Sequence, residues 1–175
     1  MEMKNKVLKK GLTGLFFSAV LILIDQLTKI CAINGLRGKN PFILINGVFE
    51  LRYLENRGAA FGILQGRKIF FIIFTIIVLA AIVYIFLKKI PQEKKFIWLN
   101  IICVLFFSGA IGNFIDRVSR NYVVDFFYFS LIDFPIFNVA DIYVTVAAFA
   151  MIFLGLFYYK EEDYNKIFPS KKETR

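Results

Sequence analysis

The chain has 175 residues, of which 58% are hydrophobic, with a mean hydropathy of +0.64 and a formal net charge of +9. A soluble domain is roughly 45–50% apolar, and here the excess sits in four blocks, which is the pattern of a polytopic membrane protein. There is no histidine, so HExxH metallopeptidases, Ser-His-Asp triads and Cys-His pairs are excluded. The two cysteines, Cys31 and Cys103, both lie inside apolar blocks and suggest neither a disulfide framework nor a metal site.

A bilayer core about 30 Å thick needs roughly 20 apolar residues in a helix. In chain order the first block, Leu12–Ile33, follows Lys4, Lys6, Lys9 and Lys10. It is too long for a signal-peptide core, carries Asp25 and Lys29, and lacks a small-residue cleavage site, so it reads as a retained helix. Asp25 and Lys29 are spaced i,i+4 with the acid first, which suits a neutralising ion pair on one helix face.

The segment 34–66 follows. Phe49, Leu51 and Tyr53 alternate with Glu50 and Arg52, and Asn46-Gly47 is a strong hairpin dipeptide. The spacing predicts a small β segment over about 40–62, lying at the membrane surface. The second helix, Ile69–Leu87, has no charge between Lys68 and Lys88. A short basic turn, 88–95, leads to the third, Phe96–Ile115. Its end places Gly109, Asn113, Asp116 and Arg117 at i, i+4, i+7 and i+8, on one face. Gly109 and Gly112 allow close helix approach.

In the connecting segment 116–137, Asp125 is flanked by Val124 and Phe126, a setting that predicts partial desolvation. The fourth helix, Asn138–Tyr159, opens on Asn138-Val-Ala-Asp141 after Pro135. Read from these residues alone, the pair serves equally as a helix cap and as part of a site. Counting Lys and Arg at the helix ends puts both termini in the cytoplasm. The basic residues at those ends fit anionic headgroups and argue against nucleic acid as a partner. The expected architecture is one domain, 1–175: an all-α, four-helix membrane bundle with a small extracytoplasmic β-hairpin or sheet.

In this topology the ionisable residues Asp25, Lys29, Asp116, Arg117, Asp125 and Asp141 all gather at the outward end. Intramembrane charges are costly and mark function. Two carboxylates, Asp125 and Asp141, come from neighbouring elements and can meet there. Such a pair hydrolyses peptides without metal or histidine: one ionised acid activates water and its protonated partner supports the oxyanion and leaving amine. A transporter would need charges along a path across the bilayer, and the second helix offers none. A non-enzymatic scaffold would use the same groups only to cap and pair. A presenilin-like protease would need a Gly-x-Gly-Asp motif, which is missing.

Five blocks in order carry a resemblance: Asp25-x-x-x-Lys29, Asn56-Arg-Gly58-Ala-Ala-Phe61, Gly109-Ala-Ile-Gly112-Asn113-x-x-Asp116-Arg117, Val124-Asp125-Phe126 and Phe137-Asn138-x-Ala140-Asp141. The chain resembles the bacterial lipoprotein signal peptidases (signal peptidase II) over almost its whole length. Ser108-Gly109 replaces a glycine pair common in the family, and Ile142 stands where a small polar residue is usual. The resemblance implies that Asp125 and Asp141 are the catalytic dyad. Asn56, Gly58, Asn113, Arg117 and Asn138 would form a supporting shell, with Asp25, Lys29 and Asp116 structural. It implies no metal and no cofactor. The substrates would be diacylglyceryl-modified prolipoproteins cut before the lipidated cysteine. Globomycin would be expected to inhibit, membrane lipids to surround a monomer, and the site to open on the outer face of the bacterial cytoplasmic membrane.

Overall fold

The computed structural model describes residues 2–58 and 67–169. Ala59, Ala60 and Phe61 of the second motif, and Lys171, Lys172 and Arg175 of the basic tail, lie outside the described residues. Four helices are long and apolar enough to cross a membrane, spanning Lys4–Leu36, Lys68–Lys89, Lys94–Ser119 and Val139–Phe157. Within them α1 is Glu2–Leu36, α2 is Lys68–Tyr84, α3 is Ile97–Ser119 and α4 is Val139–Phe157. Helix α1 starts about three turns before the apolar block, because the lysine-rich N-terminal run contains no breaker and continues the same helix. Helix α3 likewise runs past the expected end at Ile115, carrying Asp116 and Arg117 within the helix.

The predicted hairpin is present as β1 (Phe42–Ile45) and β2 (Phe49–Asn56). Its turn has Gly47 at φ +68°, a left-handed conformation that glycine adopts without a Cβ penalty. A third strand, β3 (Val123–Tyr128), pairs antiparallel with β2, giving the sheet order β1-β2-β3. From sequence this segment reads as a connection. Its hydrophobic run has no alternation, because both faces are covered: Val123, Val124, Asp125 and Phe126 are all buried. A run buried on both sides loses the period-two signal.

The sheet packs on the outer end of the bundle. Val124 and Phe126 form a buried cluster with Ala32 of α1, flanked by Leu51 and Tyr53 of β2. Beyond β3 the chain doubles back, and Phe127 and Phe137 exchange backbone hydrogen bonds of 2.9 and 3.0 Å. That bridge delivers the start of α4 to the side of β3. At the opposite end a short helix, α5 (Glu161–Ile167), caps the bundle. It is held by the cluster of Ile90, Phe96, Tyr159 and Ile167 and by the Lys95–Asp163 ion pair. The apolar helix faces otherwise point outward, and α2 has no buried residue, as expected where lipid is the solvent.

Close packing of α1, α3 and α4 depends on two glycines of α3. A Cβ on Gly112 would stand 2.5 Å from Asp25 Oδ2, and one on Gly109 would stand 2.6 Å from the Ala140 carbonyl oxygen. Neither obstacle is the free end of a flexible chain, since Asp25 is fully buried and the other is backbone. Gly112→Ala and Gly109→Ala should each cost about 1–3 kcal/mol. Gly35→Ala, with nothing within 4 Å, should be neutral or gain up to about 1 kcal/mol from helix propensity. Thermal unfolding in detergent would separate the three.

Candidate active site

The described residues of the sequence-predicted site converge at the sheet end of the bundle. At its base the Lys29 ammonium is fully buried and is ringed by three oxygens. They are Asp25 Oδ2 at 3.0 Å, Asp116 Oδ2 at 3.2 Å and Asn113 Oδ1 at 2.9 Å. Asp25, Lys29 and Asp116 all have no solvent exposure. The i,i+4 pair of α1 is therefore one part of a four-residue cluster that joins α1 to α3.

The two carboxylates of this cluster have their own backbone partners. Asp25 Oδ1 accepts a hydrogen bond from the Ala140 amide at 3.0 Å, and Asp116 Oδ2 accepts one from the Val124 amide at 3.0 Å. Each of those amides is next in sequence to a dyad residue, Asp141 and Asp125 respectively. One buried cation thus fixes, through two acids, the backbone on which both dyad side chains are mounted.

Asp125 projects from β3 and is 1% exposed. Its Oδ2 accepts from Asn56 Nδ2 at 2.8 Å and its Oδ1 from Asn138 Nδ2 at 2.6 Å. Asp141 lies in the first turn of α4. It closes a capping box with Asn138: Asp141 N donates to Asn138 Oδ1 at 3.0 Å, and Asn138 N donates to Asp141 Oδ2 at 3.1 Å. Its other oxygen, Oδ1, accepts from Asn113 Nδ2 at 2.8 Å. Capping and site geometry coincide, since the capping box leaves the Asn138 amide nitrogen free to reach Asp125. That nitrogen also donates to Asn113 Oδ1 at 3.1 Å, so Asn138 links both carboxyls and Asn113.

Asn56 ends β2 with a turn in which its Oδ1 accepts from the Gly58 amide at 2.9 Å. Arg117 donates to the Gly58 carbonyl oxygen at 3.3 Å and to the Asn113 carbonyl oxygen at 3.3 Å, and its guanidinium lies 4.8 Å from the centre of the Phe71 ring. It ties α3 to α2 and to the end of β2. Two residues were not singled out from sequence. Gln26 donates to Asp25 at 3.0 Å and to the Gly112 carbonyl oxygen at 3.2 Å. Arg120 pairs with Asp116 and also donates to Gln26 at 3.4 Å. The signal was available for Arg120, which stands four residues after Asp116 on the same helix. No sequence pattern marks Gln26.

Burial pushes the Asp125 carboxyl up to about 7, and the negative charge of neighbouring Asp141 adds to the effect. The amide donors from Asn56 and Asn138 work in the opposite sense, and desolvation prevails. Among the described residues no group of three or more His, Cys, Asp or Glu side chains is arranged to hold a metal ion.

What this arrangement defines is a membrane-embedded carboxylate pair supported by asparagines, the class of an aspartic peptidase. A family model described as signal peptidase (SPase) II matches residues 17–157. The lipoprotein signal peptidase of Streptococcus thermophilus (strain CNRZ 1066) is 45% identical over 143 residues, covering 82% of this chain and 90% of the relative. That of Streptococcus pyogenes serotype M5 (strain Manfredo) is 42% identical over 147 residues, covering 83% and 91%. Two solved chains described as bacterial membrane enzymes superpose with TM-scores of 0.75 and 0.74. They are 33% and 35% identical, covering 93% and 85% of this chain and 94% of each solved chain. The chain belongs to the signal peptidase II family of membrane aspartic peptidases.

Two outcomes follow from the geometry. Lys29→Met leaves Asp25 and Asp116 buried without their shared cation and should cost about 3–5 kcal/mol, measured as a lower unfolding temperature in detergent. Asp141→Asn removes the negative neighbour of Asp125, so the Asp125 titration should move below 7. The protonated-carboxyl band in infrared difference spectra against pH reads that shift, and a titration unchanged by the substitution would mean that the two groups do not interact.

Proposed function

We propose that Asp125 and Asp141 are the catalytic dyad of a lipoprotein signal peptidase, cutting diacylglyceryl-modified prolipoproteins on the N-terminal side of the lipidated cysteine. The observation that carries the reading is Asn138, whose side-chain amide donates to the Asp125 carboxyl while its backbone amide donates to the Asp141 carboxyl, so that one residue joins the two acids from strand and helix. Its neighbours supply the charge balance. Asp25, Asp116, Asp125 and Asp141 face Lys29, Arg117 and Arg120. Four acids and three permanent cations become neutral when the dyad keeps a single proton.

That one-proton state is the working state of the chemistry. The ionised carboxyl takes a proton from a water as the water oxygen bonds to the scissile carbonyl carbon. The protonated carboxyl hydrogen-bonds to the developing oxyanion, and a proton is then returned to the leaving amine as the C–N bond breaks. The pair titrates as a unit, and the asparagines hold its geometry in either proton distribution. Asn56, Gly58, Asn113, Arg117 and Asn138 act as this support. Asp25, Lys29 and Asp116 act one layer further out, through the backbone of Asp125 and Asp141.

The basic ends of the helices put both termini in the cytoplasm, so the dyad works at the outer face of the bacterial cytoplasmic membrane. The whole chain acts as one membrane domain and as a monomer. Membrane lipids surround it, and inhibitors of the globomycin type compete for the dyad.

The test is cleavage of a diacylglyceryl-modified prolipoprotein by purified enzyme, followed by gel shift. Wild type should cut, while Asp125→Asn and Asp141→Asn, both folded in detergent, should lose at least about a thousand-fold in rate, as expected when a dyad member is removed. The rate of wild type should fall as pH rises through about 7, where the pair gives up its shared proton. Activity persisting in either variant would remove that residue from the dyad.

A further inference from the structure

At the end of the bundle away from the dyad, α1 and the start of α3 stand apart around a cleft of about 780 Å³. That volume falls within the roughly 300–1,000 Å³ of ligand cavities. Four lysines line it, Lys6, Lys9 and Lys10 from α1 and Lys94 from the turn before α3. Deeper in, the walls are apolar and include Phe17, Leu21, Ile101 and Leu105. Among the described residues the one acid lining the cleft, Glu93, is already engaged by Lys166 at 2.8 Å. The mouth is therefore strongly cationic, while the interior suits hydrocarbon.

Lys10 is held in place for such a role. Its ammonium donates to the Ile90 carbonyl oxygen at 3.0 Å and stands 4.8 Å from the centre of the Phe86 ring. An ammonium has three donors, so this contact leaves two. Phe86 belongs to a five-residue π-helical segment, Ile85–Lys89, a local widening that often accompanies functional sites. Its ring lies against Gly14, where any Cβ would come within 2.7 Å of it. A smaller apolar cavity of about 190 Å³ adjoins the cleft here, with Gly14, Phe86 and Val104 in both walls.

We infer that this cleft binds one acidic diacylglycerophospholipid, its phosphate among Lys6, Lys9, Lys10 and Lys94 and an acyl chain along the wall of α1 and α3. Basic pockets between transmembrane helices suit anionic headgroups in this way. A neutral lipid would offer no counter-charge to Lys9, Lys10 and Lys94. Free phosphate would leave the apolar walls bare. A signal peptide carries a positively charged leading region and would be repelled by the mouth. The site shares no residue with the dyad, so the inference stands or falls separately from the catalytic reading.

Delipidated full-length protein, given equal amounts of phosphatidylglycerol and phosphatidylcholine with matched acyl chains, should retain phosphatidylglycerol at least ten-fold preferentially by native mass spectrometry. Each lysine near an anionic group is worth about 1 kcal/mol, or about five-fold in affinity. The combined Lys6→Gln, Lys9→Gln, Lys10→Gln and Lys94→Gln variant should thus lose the preference. Ile101→Trp, which fills the wall and keeps every lysine, should weaken binding at least five-fold. Lys88→Gln with Lys89→Gln, a basic pair that does not line the cleft, should leave it unchanged. Equal retention of the two lipids would overturn the inference. So would an equal loss in the Lys88/Lys89 variant, unaltered binding in Ile101→Trp, or complete displacement of the lipid by millimolar inorganic phosphate.

Discussion

A lysine ammonium with no solvent contact, held among helices that lipid surrounds, is tolerable only if its charge is met by fixed oxygens. Lys29 meets that condition through Asp25, Asp116 and Asn113, and the same contacts determine where everything above them sits. The acids cannot be satisfied by one cation alone, since each has a second oxygen: that of Asp25 accepts from the Ala140 amide and that of Asp116 pairs with Arg120, while the Val124 amide shares with Lys29 the other Asp116 oxygen. Removing one partner from such a buried set leaves uncompensated charge, which is far more costly than the set itself is stabilising. The arrangement therefore acts as a lock on position more than as a source of net stability. What it locks is the strand residue before Asp125 and the helix residue before Asp141.

Above this base the site is assembled from short polar side chains that each serve two elements. Asn138 caps α4 and bridges the carboxyls. Asn113 links the Lys29 cluster to Asp141, and Asn56 joins the end of β2 to Asp125. Asparagine suits these positions because its amide offers both donors and an acceptor without adding charge. In a region where an unpaired polar atom is expensive, the oxygen and the nitrogen of each amide find partners among neighbours already required for the fold. Rigidity of the dyad then follows from the packing, and little side-chain entropy remains to be lost when substrate arrives. The glycines at 109 and 112 belong to the same scheme: they bring α3 close enough to α1 and α4 for these short side chains to reach.

Much of this was legible before any coordinates. The four apolar blocks, the Asn46-Gly47 turn and the shared face of Asn113, Asp116 and Arg117 each rest on local chemistry, and each corresponds to an observed element or site residue. The third strand was not legible. Val123–Phe126 are buried on both faces, and a segment so covered carries no alternation to distinguish it from a loop rich in apolar residues. Gln26 was equally silent, because a polar residue beside a charged pair is ordinarily just a polar residue.

The sequence by itself determined which groups exist and at what depth they lie: helix spans follow from hydrocarbon thickness, and faces follow from helical periodicity. It also excluded histidine-dependent hydrolysis, as the chain has no histidine. Only the tertiary structure decided that Asp125 reaches Asp141 across sixteen positions of chain. That meeting depends on β3 pairing with β2, on the Phe127–Phe137 bridge, and on Lys29 anchoring both flanking amides. These are contacts between distant segments, set by which surfaces pack and which buried charges must be satisfied. No local propensity encodes them.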